Sequence, residues 1–174
     1  VGQNVFGLTP AEVGYFFMAP SIGYLIGNFF SARFTGHFGI NRMIVAGTIT
    51  CLLALLPALA ADLAGIVNPW IFFGAIAVTG LGNGMVLPNA NAGMMSVRPE
   101  LAGTASGLGG ALTVAGGAAL SALAGALLTP GAGATPLLVI MVASAAGGVV
   151  AIVWVLRREK RLKIDEPAPP QTPF

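Results

Sequence analysis

The sequence predicts an all-α, polytopic membrane protein, a bundle of five transmembrane helices. Three observations carry that reading. Of the 174 residues, 56% are hydrophobic and only 8% are charged, whereas a soluble domain is about 25% charged. Surface-to-volume scaling leaves a soluble chain of this size unable to bury so much apolar surface. Five stretches reach the length of about 20 apolar residues that crosses a bilayer, and the basic residues fall in alternate connections between them.

The five spans run from about 13–32, 43–61, 70–97, 101–128 and 136–156. The first is opened by Thr9-Pro10-Ala11-Glu12, a capping box with proline at the first helical position. Asn68-Pro69 opens the third and Thr135-Pro136 the fifth in the same way. Pro99-Glu100 sets a carboxylate in the first turn of the fourth, where the helix dipole favours it. The third and fourth spans exceed what a bilayer requires, so tilt, kinks or protrusion are expected. Pro20 and Pro57 are expected to kink the first and second. Residues 1–164 form one unit, and 165–174, with four prolines, reads as a disordered cytoplasmic tail.

Of the eight Lys and Arg residues, none precedes the first span, Arg33 and Arg42 follow it, Arg98 follows the third, and Arg157, Arg158, Lys160, Arg161 and Lys163 follow the fifth. The positive-inside rule turns this alternation into an outside N-terminus and a cytoplasmic C-terminus, in a plasma (inner) membrane. The C-terminal cluster reads as a topology anchor on the bilayer, and neither it nor a net charge of +2 points to nucleic acid. An outside N-terminus with no preceding span leads to the expectation that the chain is the back part of a larger transporter. The first residues, Val1-Gly2-Gln3-Asn4, have no secretory leader pattern.

The spans differ in kind. The second and fifth are rich in Leu, Ile and Val and read as peripheral, lipid-facing helices. The third and fourth are rich in Gly, Ala, Ser, Thr and Asn, with Gly103 and Gly107 forming a GxxxG pair in the fourth. Small residues let backbones approach, so both are expected to pack inside protein.

No span holds Lys, Arg, Asp, Glu or His, the residues that mark proton relays and ion paths in membranes. There is no nucleophile–base set, phosphate loop or metal spacing; the one cysteine, Cys51, lies in an apolar run, and His37 sits in a basic loop. The reading is therefore of a protein that is not an enzyme and has no cofactor and no metal. The polar content lies in the third span, from Gly80 to Asn91. There Pro88 removes a backbone donor and crowds the carbonyl of Gly84, and Gly80, Gly82 and Gly84 loosen the same stretch. Asn83 falls near mid-span, and Asn89 and Asn91 toward its inner end. Each stands open between a substrate contact and an interhelical hydrogen bond. In the first span, Tyr15, Phe16, Phe17, Met18 and Tyr24 offer either an adaptable apolar binding wall or ordinary packing.

The segment Gly27-Asn28-Phe29-Phe30-Ser31-Ala32-Arg33-Phe34-Thr35-Gly36-His37-Phe38-Gly39-Ile40-Asn41-Arg42 resembles the signature cytoplasmic loop of the major facilitator superfamily, in the copy between helices 8 and 9. The stretches Leu87 to Ser96 and Glu100 to Gly107 resemble helices 10 and 11 of the bicyclomycin-resistance type of drug:proton antiporter, and Val5-Phe6-Gly7-Leu8-Thr9 fits the stretch before helix 8. Two departures stand out: Ser31 occupies the place of the signature acid, and His37 that of a usual arginine.

The resemblance implies that the five spans are helices 8 to 12, most of the C-terminal six-helix half of a major facilitator fold. It further implies secondary transport by alternating access, with proton-coupled efflux of an apolar or amphipathic small molecule. The proton-carrying groups would lie in the missing N-terminal half. Asn83, Met18, Tyr24, Asn89 and Asn91 are then candidates for the substrate pathway. Pro88, Gly82, Gly84 and Pro20 are candidates for kinks or gating, and Gly27, Arg33, Gly39 and Arg42 for the signature loop. The alternatives are a major facilitator metabolite importer or exporter, and a non-transporting five-span scaffold.

Overall fold

The computed structural model describes residues 2, 3, 5–97, 99–129 and 133–165. The helices are α1 (Pro10–Phe38), α2 (Ile40–Leu63), α3 (Pro69–Val97), α4 (Ala102–Leu127) and α5 (Thr135–Asp165), with a 3₁₀ turn over Pro99–Leu101 before α4. All five are long and apolar enough to cross a membrane. Arg98 lies outside the described residues. So does the predicted disordered tail, apart from Asp165, which ends α5.

Local chemistry sets the helix ends. The Glu12 amide donates to Thr9 Oγ1 at 3.3 Å and the Thr9 amide donates back to Glu12 Oε2 at 2.8 Å, completing the capping box. At the start of α3 the Trp70 amide donates to Asn68 Oδ1 at 2.9 Å. The predicted loop from Arg33 to Arg42 is instead almost entirely helical. α1 runs six residues past Ala32, and a single residue, Gly39, separates it from α2. Gly39 has φ +82°, which glycine adopts without steric cost. A ladder of rings at four-residue spacing, Phe30–Phe34–Phe38 with centroids 5.7 and 6.1 Å apart, lines the extension.

The centre of the fold is α3, held by α1 on one side and α2 on another. Glycines make both contacts. A Cβ built on Gly23 or Gly27 would collide with the Ala77 or Leu81 carbonyl of α3, and one on Gly80 or Gly84 with the Pro20 or Tyr24 carbonyl of α1. Between α2 and α3, a Cβ on Gly47 would lie 2.6 Å from the Gly82 oxygen, and one on Gly82 equally close to that of Gly47. The glycines of α3 therefore serve backbone contact, and α3 is continuous through Pro88, as α1 is through Pro20 and α2 through Pro57.

The best-buried cluster joins Leu55, Ala58, Phe72, Phe73, Ala75, Ala134 and Leu138, with Phe6, Leu8 and Phe16 packed against it. It lies where α2 ends and α3 and α5 begin. Phe16 stacks on Phe73 with centroids 4.6 Å apart and meets Trp70 edge-on at 5.0 Å.

α2 buries one stripe, Met43, Gly47, Thr48, Cys51, Leu55 and Ala58, against α3 and α5, and leaves Leu53 and Leu56 exposed. In α4 only Ala124 is buried among the described residues, and a Cβ on Gly103, Gly107, Gly110, Gly116, Gly117 or Gly125 would meet nothing. Its small-residue faces are open within this chain.

One polar tie crosses α1 and α3. Asn89, 2% exposed, donates through Nδ2 to Ser31 Oγ at 2.7 Å and to its own helix at Met85 O at 2.8 Å, and its Oδ1 accepts from Thr35 Oγ1 at 3.0 Å.

Two stability outcomes follow, both measured by thermal unfolding in detergent. Gly84→Val forces α1 and α3 apart and costs about 3 kcal/mol, the upper part of the overpacking range, whereas Gly74→Ala, facing open space on the same helix, leaves stability unchanged or raises it. Asn89→Leu removes both interhelical hydrogen bonds and costs about 1–2 kcal/mol, the scale of such bonds in membranes.

Candidate functional site

Asn83 is an exposed residue near the middle of α3. Its Oδ1 accepts a long contact from the Cys51 thiol at 3.9 Å, and the same sulfur lies 3.5 Å from the Thr79 carbonyl. Its amide nitrogen has no hydrogen-bond partner among the described residues. In an apolar setting, an open carboxamide of this kind is the natural contact for one polar group on a ligand.

Two cavities share Asn83. One, of about 410 Å³, opens among α2, α3, α4 and α5, and Leu55, Val86, Leu120, Leu137, Ile140 and Met141 make most of its wall. It also holds hydroxyls, but those of Thr48, Thr79 and Ser144 each donate to a carbonyl of their own helix, at 2.9, 2.8 and 2.8 Å. The open polar groups that remain are Asn83 and Ser121. The other cavity, about 540 Å³ and more open, is a groove along α1 and α3 lined by Pro20, Ser21, Tyr24, Leu25, Gly80, Asn83 and Leu87. The pair of cavities suits an apolar ligand with a small polar function.

The other predicted positions separate into distinct roles. Tyr24 joins Asn83 in the groove. Met18 is 57% exposed on α1 and lines neither cavity. Asn89 is fully engaged in the Ser31–Thr35 tie, and Asn91 is exposed toward the end of α3. Pro20 sits in the groove and presents its carbonyl to Gly80. Gly27, Gly82 and Gly84 lie in helix contacts. Arg33 is exposed near the end of α1 and Arg42 near the start of α2, on either side of Gly39.

Sequence reasoning missed three contacts. Cys51 supplies the contact to Asn83 from a run that reads as plain lipid-facing helix. Asn41 Nδ2 donates to Glu159 Oε2 at 2.7 Å, tying α2 to α5 at one end, and the Thr135 hydroxyl donates to Asp62 at the other. The polar character of Asn41 and Asp62 at the ends of an apolar span was the available signal. Among the described residues no cluster of His, Cys, Asp and Glu is placed to hold a metal.

Multidrug resistance protein D of Escherichia coli (strain K12) is 31% identical over 150 residues, which are 86% of this chain and 36% of that protein. The chain thus spans about a third of the length of this curated relative. No solved structure matches it significantly. The profile of the Major Facilitator Superfamily matches residues 3–173. With five membrane-length helices and a match over nearly its whole length, the chain belongs to the Major Facilitator Superfamily.

Proposed function

We propose that this chain is the C-terminal part of a plasma-membrane exporter of drugs or similar small molecules, driven by protons and working by alternating access. The observation that carries the proposal is Asn83, an open carboxamide shared by two cavities with largely apolar walls. Walls of Leu, Ile, Val and Met accept varied apolar shapes, and one amide supplies orientation without demanding a single ligand. The name of the similar Escherichia coli protein supports the same substrate class. In this reading Tyr24 flanks Asn83 on the groove side, while Met18 and Asn91 stand outside both cavities. Gly82 and Gly84 act as packing contacts on which any relative movement of helices pivots.

The hydrophobic parts of the five spans hold no Asp, Glu, Lys, Arg or His. We therefore assign the proton-carrying groups to the rest of the transporter and the substrate wall to this part. Rocking of the two halves about a central site would expose that wall to each side in turn. The alternation of basic residues supports an orientation with Gly39 inside and the connection between α2 and α3 outside. Arg33 and Arg42 then sit beside the inner headgroups, where they hold that orientation.

Two measurements test the reading. In the full-length transporter, Asn83→Leu lowers export of substrates bearing a hydrogen-bond acceptor about five- to tenfold, the scale of one hydrogen bond, and spares purely apolar ones. Unchanged export of every substrate would remove Asn83 from the pathway. For orientation, a membrane-impermeant maleimide labels Val67→Cys in intact cells and labels His37→Cys only after permeabilisation. The opposite pattern would invert the topology.

A further inference from the structure

The basic cluster that the sequence places beyond the fifth span is helical. α5 continues through Asp165, 31 residues in all. At about 1.5 Å per residue this exceeds the ~30 Å hydrocarbon core by roughly half. Its charges therefore have fixed sides. Gly148, Ile152 and Glu159 lie on the face turned to α2: a Cβ on Gly148 would lie 3.5 Å from Thr48, Ile152 is 6% exposed, and Glu159 accepts from Asn41. Successive residues turn by about 100°, so Trp154, Arg157 and Arg161 fall on the opposite face. Trp154 is 61% exposed there, and the Arg158 guanidinium lies 5.8 Å from its ring centroid.

Between Trp154 and Lys163 the one acid is Glu159, which the fold turns inward, and the next, Asp165, stands one turn beyond Arg161 at the end of α5. From Trp154 to Arg161 the outward face carries cations above an exposed indole. Arg157 and Arg161 are neighbours at four-residue spacing, an arrangement of like charges that destabilises a helix until an anion sits between them. Among the described residues neither has an acidic partner. The face is open within this chain, and Trp favours the headgroup level of a bilayer.

We propose that this face is a binding site for the phosphate of an anionic phospholipid, held between Arg157 and Arg161 with Arg158 and Trp154 beside the glycerol region. Guanidinium groups bind phosphate through paired N–H donors. The lipid, rather than soluble phosphate, is the ligand because the indole and the apolar turns before it continue the site into the hydrocarbon.

The test is native mass spectrometry of the purified full-length protein in detergent, titrated with phosphatidylglycerol or phosphatidylcholine. The protein retains phosphatidylglycerol in preference. The double variant Arg157→Gln with Arg161→Gln weakens its binding about 25-fold, at about fivefold per arginine near an anionic surface, while the charge-matched Lys160→Gln with Lys163→Gln changes it less than about twofold. An equal loss in the two double variants would mean diffuse attraction and overturn the site, as would phosphatidylglycerol binding that survives in the first. Displacement of the lipid by millimolar inorganic phosphate would overturn its assignment as the ligand.

Discussion

The closest approach in the molecule, backbone against backbone between α1 and α3, governs the rest of the structure. In a bilayer, apolar side chains gain nothing by leaving lipid for another helix, so association rests on close van der Waals contact and on hydrogen bonds. Gly23 and Gly27 meet the carbonyls of α3, and Gly80 and Gly84 meet those of α1. Each contact works only because the glycine has no side chain to hold the facing carbonyl away. Gly47 and Gly82 repeat the device between α2 and α3. Together they form a three-helix body against which α4 and α5 are arranged.

That body decides what its polar residues can do. Where α1 and α3 touch, there is room for Asn89 to reach Ser31 and Thr35, and its hydrogen-bonding capacity is consumed there. No buried side-chain nitrogen or oxygen lacks a partner among the described residues, as the cost of an unpaired polar group at membrane depth requires. Asn83 is six residues earlier on the same helix but points between the contact faces. It keeps a free amide because it opens on cavities instead of on a neighbour. Two identical side chains thus take opposite roles, one as a fastening and one as a candidate ligand contact.

The outer helices show the same logic. α5 is fastened to α2 at both ends by polar pairs, Thr135 with Asp62 and Asn41 with Glu159, and the second of these also fixes which side of α5 carries its cations. Among the described residues α4 has no such fastening and little packing. Its glycines resemble those of α3 in spacing but meet open space. Composition alone therefore cannot tell a glycine already in contact from one whose face is unoccupied.

Much of this was legible in the residues themselves. Membrane residence follows from hydropathy, the number of spans from segment length, and helix starts from Thr9, Asn68 and Thr135 with the prolines beside them. The small-residue character of α3 correctly marked it as central. Composition does not say which side of α2 is packed, because burial against a neighbour leaves no trace when lipid favours the same apolar side chains. The extension of α1 to Phe38 was hidden because charge, which ends a membrane span, does not end a helix. Among the three asparagines of α3, only the tertiary structure separated Asn89 from Asn83. The angle of a side chain about the helix axis is readable from sequence, but what stands opposite it is set by the backbone distance to the next helix, and here the glycines on both partners set that distance.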